Sequence, residues 1–330
     1  MRQTVKLLVL ILGVFGIAMG LLLRFYDYPR LAVVPLDPHA SLVLHGTATV
    51  VDPATLKVRQ GIPISATLAV RGKLDAAEVR PFGSVAVWDV GQVIRDGSGA
   101  FLGASEQVVC VDRRTAMAVT PCMEQRIDHD TGVRASGLQL KFPFNTRPHD
   151  YTFYDSTARM ALPARYEGTE SLGGLTVYRF FQTVPAVKLG DVAAPGRLVG
   201  RKTNTVVRAA RMYEGVRTLW IEPYTGQVVK TQGTSRQFLR GPDGRDGLTL
   251  FQASLGTSDA AVYTTVATAK VQRGQVQMMY DRGPRLLICV GGGFFLTGLT
   301  LLVTGIRPAR YPIRRLVRRM PKEVAATIGY

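Results

Sequence analysis

Two stretches of the chain, residues 7–23 and 286–306, contain no charged side chain. At about 1.5 Å rise per residue, the 21 residues of the second reach roughly 31 Å as a helix, the thickness of a bilayer's hydrocarbon core. The first follows Arg2 and Lys6 and ends in Leu21, Leu22, Leu23 and Arg24, without the small-residue pattern of a cleavage site. It therefore reads as an uncleaved anchor, not an export signal. Gly16 with Gly20 on one helix, and Gly291–Gly293 with Thr297 on the other, offer small-residue faces on which the two could pack.

Between these anchors the hydrophobic period falls from the helical one to two. Ile62, Ile64, Ala66, Leu68 and Val70 alternate with more polar neighbours, and Leu42, Leu44, Ala48 and Val50 repeat the pattern. Such alternation predicts antiparallel strands with one buried face. Residues 85–95 predict a third strand, with Trp88, Val90 and Ile94 on one side. Aromatic-rich strands are predicted at 151–154 and 175–182, the latter entered through Gly173-Gly174. Residues 218–221 and 227–230 flank Glu222-Pro223-Tyr224-Thr225-Gly226, where proline presets a turn and glycine accepts its left-handed corner. Two further strands are predicted at 234–239 and 247–253. Residues 185–204 carry several glycine and proline interruptions and read as a long connection, the natural place for a lid. From Ser258, a good helix cap, Val262, Val266 and Ala269 share a helical face, with a break expected near Gly274 or Gly283-Pro284.

The fold class expected is mainly β (α+β), an antiparallel β-rich extracytoplasmic domain flanked by two transmembrane helices. Its boundaries are 1–6 for a cytoplasmic N-terminus, 7–23 and 286–306 for the spans, 24–284 for the domain and 307–330 for a basic cytoplasmic tail. The tail holds Arg307, Arg310, Arg314, Arg315, Arg318, Arg319 and Lys322 against Glu323. That bias places both termini in the cytoplasm, where the seven cations can meet anionic lipid headgroups. The formal net charge of +17 is explained nearly by half through this topology. The rest is dispersed, without a basic helix or zinc motif, so a nucleic-acid partner is not expected.

Cys110 and Cys122 form an even pair outside the cytoplasm and predict a disulfide, the alternative being two buried thiols. Cys289 lies within a span. The Asp128-His129-Asp130 cluster lacks the remaining ligands of a calcium loop and reads as a polar turn. Glu167 and Glu170 read as a solvated turn. No nucleophile elbow, zinc-helix motif, P-loop or dinucleotide fingerprint is present, so neither cofactor nor enzymatic activity is expected.

The run Ala164-Arg165-Tyr166-Glu167-Gly168, continuing through Gly174-Leu175-Thr176-Val177-Tyr178-Arg179-Phe180 and Pro195-Gly196-Arg197-Leu198-Val199-Gly200, resembles the actinobacterial porin PorA family. So do Cys110-Val111-Asp112-Arg113-Arg114-Thr115, Phe142-Pro143-Phe144-Asn145-Thr146 and the segment 219–229 around Trp220-Ile221-Glu222-Pro223. The resemblance covers nearly the whole chain and brings no catalytic residue with it. It implies a membrane-anchored envelope protein. The leading expectation is a domain that binds an envelope lipid or glycolipid, or docks on a transporter that moves one. A cavity for acyl chains is expected among the strands carrying Trp88, Phe180 and Trp220. A porin or channel component, as the family name states, is the alternative, and an envelope-lipid enzyme with an unrecognised site the third reading.

Overall fold

A computed structural model describes residues 2–52, 55–80 and 83–304. The basic tail and its seven lipid-contact residues, Arg307 through Lys322, lie outside the described residues. The chain divides into two compact units, one formed by residues up to Gly20 and from Leu286, the other by Leu21–Arg285.

In the first unit, α1 (Arg2–Leu22) packs against α4 (Gly283–Thr304). Both belong to helices long and apolar enough to cross a membrane. Their backbones meet at glycines. A Cβ on Gly13 would fall on the Phe295 backbone, and one on Gly16 would stand 3.0 Å from the Gly291 Cα. Such close approach gains dispersion contacts in lipid, where no hydrophobic force pushes helices together. Lys6 Nζ donates to the Leu301 carbonyl of α4 at 2.6 Å, adding a polar tie between the two helices. The contact thus uses Gly16 and Gly291 as the sequence predicts, whereas Gly293 and Thr297 point elsewhere.

The second unit begins with a π-helical turn, Leu23–Asp27, and α2 (Tyr28–Leu31). Next come β1 (Ala40–Val51), β2 (Val58–Gly72), β3 (Val85–Asp96), β4 (Phe101–Asp112), β5 (Arg126–Ile127) and β6 (Tyr151–Asp155). The remaining strands are β7 (Met160–Leu172), β8 (Leu175–Pro195), β9 (Val206–Glu222), β10 (Gln227–Arg240) and β11 (Asp246–Thr257). All eleven form one antiparallel sheet, ordered β5-β4-β3-β2-β1-β11-β10-β9-β8-β7-β6. Although β4 and β6 lie near opposite ends of that order, Val109 and Val111 share a core with Phe153 and Tyr154. The sheet must therefore roll up until its ends meet. Backbone bridges Val111–Ala118, Met117–Leu138 and Leu138–Phe153 complete the circuit on one side.

The strand periodicity at 42–50, 62–70 and 85–95 agrees with β1–β3. Residues 234–239 continue β10 and are not a strand of their own, because the ladder with β9 runs unbroken through Gly233 and Thr234. The predicted lid at 185–204 is corrected more strongly. β8 runs on to Pro195, and two bulges, between Val184 and Val187 and between Lys188 and Gly190, absorb the interruptions. Beyond it Val199 is wholly buried against Ala194, Ala209 and Leu239, which pins the short turn after β8 to the core, and only residues 200–205 remain an exposed connection.

α3 (Asp259–Gln277) starts where Ser258 accepts from the Ala261 amide at 3.3 Å. It passes Gly274 intact and changes pitch in a second π-helical turn, Met278–Arg282. Val262, Val266 and Ala269 cover Leu175, Val177, Trp220 and Val229 on the outer face of the sheet. This explains why residues 176–181 are apolar on both sides: one side faces the rolled interior and the other a helix.

Cys110 and Cys122 are joined, with Cα atoms 5.9 Å apart, in an outer cluster with Ala76, Val87 and Val108. The two cysteines are 12 residues apart in sequence, and closing a loop of that size is worth about 3 kcal/mol in the chain-entropy model. Cys122→Ser should lower unfolding stability by about that amount in a denaturant titration. An unchanged midpoint under non-reducing conditions would remove the bond from the account.

Candidate functional site

The rolled interior is stoppered at its bridged end. The segment between Leu138 and β6 belongs to no strand, yet Phe142 is wholly buried there, its ring 4.6 Å from Phe180, 5.5 Å from Phe153 and 5.3 Å from Tyr151. Next to this aromatic stopper lies a polar layer. Arg217 Nε donates to Gln182 Oε1 at 2.6 Å, Arg217 Nη2 stands 3.4 Å from Asp155 Oδ2, and the Tyr213 hydroxyl donates to the same oxygen at 3.5 Å. Gln182 is buried and gives its amide hydrogens to the carbonyls of Phe153 and Leu162. Further along, Ala48, Ile64 and Ala253 are buried among half-buried Ile62, Ile94, Phe251 and Leu255.

The stopper's backbone is held from one place. Phe142, Asn145 and Thr146 donate their amides to the carbonyls of Gly226, Tyr224 and Pro223 at 2.9, 3.0 and 2.8 Å, all in the turn between β9 and β10. Lys141 Nζ adds a bond to the Thr225 carbonyl at 2.7 Å. Gly226 has φ of 70°, and a Cβ there would fall on the Phe142 carbonyl, so glycine is required on both counts. Glu222 sets the shape of the turn. Its side chain is fully buried, accepting from the Thr225 amide and hydroxyl at 2.8 Å each and from the Tyr224 amide at 3.2 Å. Arg273 of α3 lies 3.8 Å from this carboxylate. Gln277 donates to the Tyr224 hydroxyl at 3.5 Å, and Asn145 donates to the Tyr280 hydroxyl at 3.4 Å.

The residues expected to line one cavity do not come together. Trp88 and Phe180 are buried in the rolled interior, while Trp220 packs on the opposite face under α3 and donates to Glu170 at 2.7 Å. The reason is strand parity: Leu219 and Ile221 point inward, so Trp220 points out. Two surface grooves, of 470 and 580 Å³, include none of the three. Glu167 and Glu170 lie on β7 instead of in a solvated turn, and both hold Arg179, at 3.1 and 2.7 Å. The Asp128–Gly132 turn is a turn as predicted, Asp130 accepting from the Gly132 amide and pairing with Arg159. Among the described residues, the grouping of metal-ligand types is Glu78 with Cys110 and Cys122, whose sulfurs are bonded to each other. Lys141, Arg273 and Tyr280 were not distinguished by any sequence pattern, Asn145 stood within the Phe142–Thr146 motif of the resemblance, and Glu222 stood inside the Glu222–Gly226 turn signal.

Burial pushes Lys141 down to about 8, against the opposing pull of Glu222. The unfolded chain therefore binds more protons than the folded one between there and the ordinary lysine value of about 10.4, and stability rises with pH in that window. Burial pushes Tyr154 and Tyr213 up to about 12, so above about pH 10 the unfolded tyrosines ionise first and stability falls. Unfolding midpoints measured from pH 8 to 11 should rise and then turn down. Lys141→Met should abolish the rise, and a profile that the substitution leaves unchanged would contradict the assignment.

The family model described as Porin PorA matches residues 5–300. A Porin PorA of Corynebacterium amycolatum is 22% identical, the match covering 72% of this chain and 78% of that protein. A Porin PorA of Corynebacterium resistens is 26% identical over a shorter region, 31% of this chain and 36% of that protein. With the family pattern running from α1 through both faces of the sheet into α4, this chain belongs to the Porin PorA family.

Proposed function

We propose that this protein is a component of a permeation path across the cell envelope, anchored by α1 and α4 with both termini in the cytoplasm. Family membership carries the reading, since the relatives are named as porins. The path is not the bore of the sheet, because Phe142 and its neighbours fill one end of it and charged pairs such as Arg236–Glu214 and Arg179–Glu170 sit on strands where a lipid-facing band would be apolar. α4 supplies a better surface. Opposite the glycine contact with α1 it carries Gly293, Thr297, Thr300 and Thr304 along one face. Each hydroxyl donates within its own helix, Thr297 to Gly293, Thr300 to Thr297 and Thr304 to Thr300. Such a face is tolerated by lipid in one copy and leaves oxygen lone pairs for water when several copies turn it inward.

A second reading is favoured by the half-buried apolar cluster of Ile62, Ile94, Phe251 and Leu255, which can take an acyl chain at about 0.8 kcal/mol per buried methylene. Here the protein binds an envelope lipid or glycolipid for a transport partner.

The test is planar-bilayer recording with the purified full-length protein, its insertion confirmed by protease protection. Discrete conductance steps that fall at least several-fold when Thr297, Thr300 and Thr304 become valine would support the first reading. An inserted protein with no steps, together with saturable binding of a fluorescent fatty acid, would replace it with the second.

A further inference from the structure

We propose that residues 142–146 are a gate on the bridged end of the rolled sheet, latched by α3 through the turn at Glu222. The gate closes the interior of the sheet, which is not itself the permeation path, so the inference goes beyond that reading and gives the domain a switchable closure of its own.

Three observations converge. The segment enters the core without joining the sheet, and its backbone is attached to its surroundings through carbonyls of a single turn. That turn is shaped by one fully buried carboxylate, which the helix faces with Arg273 at 3.8 Å, while Lys141, just before the plug, donates to the turn's Thr225 carbonyl. Finally, the sheet-facing stripe of α3 changes character along its length. Val262, Val266 and Ala269 are apolar, whereas Arg273, Gln277 and Tyr280, continuing at the same helical spacing, reach the turn and the plug with polar atoms.

An apolar contact is indifferent to small sliding, but a buried carboxylate facing a cation is not. A shift of α3 that removes Arg273 leaves Glu222 short of a counter-charge inside the protein, and the turn must relax. Its carbonyls then release the amides of Phe142, Asn145 and Thr146. The π-helical turn at Met278–Arg282 lies directly after Gln277, where a change of helical register is cheapest, and a second stands at Leu23–Asp27 with Tyr28 and Tyr280 rings 4.6 Å apart. The latch therefore sits beside a built-in hinge.

Hydrogen–deuterium exchange on the full-length protein in detergent tests this without reference to conductance, so failure of the permeation reading and failure of the latch are distinguishable. Arg273→Ala should speed exchange across 142–146 by about tenfold or more while leaving β2 and β3 unchanged. Tyr280→Phe, which removes one hydroxyl, should speed exchange at 145–146 alone. A cross-link between cysteines placed at Asn145 and Tyr280 should restore protection in the Arg273→Ala background. Unchanged exchange in the plug, or a uniform increase throughout the sheet, would overturn the latch.

Discussion

The structure depends on one buried carboxylate. Glu222 lies with no exposure to water, and the turn it shapes faces three ways at once: along the ladder of β9 and β10, toward the plug and toward α3. Removing the cation from such a buried pair costs about 3–5 kcal/mol, more than a surface ion pair contributes. Thr225 and Tyr224 lower the cost of burial by donating directly to the side-chain oxygens, a carboxylate's usual compensation inside a protein. Three elements far apart in sequence thus share one electrostatic requirement, and none can leave without exposing the others to it.

This requirement gives the family motif a physical meaning. Trp220 anchors the outer face under α3, Ile221 the inner face, and Glu222 the turn, while Gly226 admits the Phe142 carbonyl where any side chain would block it. The motif is a fastener between the sheet, its stopper and the helix that leads to α4.

The chain's own pattern revealed the two long helices, most of the strand segments and the cysteine pair, because each rests on a local signal: charge-free length, a period of two, a turn residue. The rolling of the sheet was not readable, since closure depends on Val109 and Val111 meeting Phe153 across the whole strand order. β4 and β7 were missed because small and charged residues weaken their alternation, as in Gly103-Ala104-Ser105 and Glu167-Gly168-Thr169-Glu170. Residues 185–195 read as a loop because proline and glycine there serve bulges inside a strand. Phe142 was invisible as a core residue, standing between Lys141 and Pro143 with no periodic neighbours. The shared cavity failed for a simpler reason: strands apolar on both faces suggested one lining, but strand parity sends Trp220 to the face opposite Trp88 and Phe180.

Lys141, bonded to the Thr225 carbonyl, and Arg273, beside the Glu222 carboxylate, hold the same turn from separate elements. A double-mutant cycle measures this directly, using denaturant unfolding of the full-length protein with Lys141→Met, Arg273→Ala and both. Non-additivity is expected, with a coupling energy of about 0.5–3 kcal/mol that falls away when Glu222 is replaced by glutamine. Effects that add to within about 0.3 kcal/mol, with or without the carboxylate, would show that the plug and the helix are fastened independently and would contradict it.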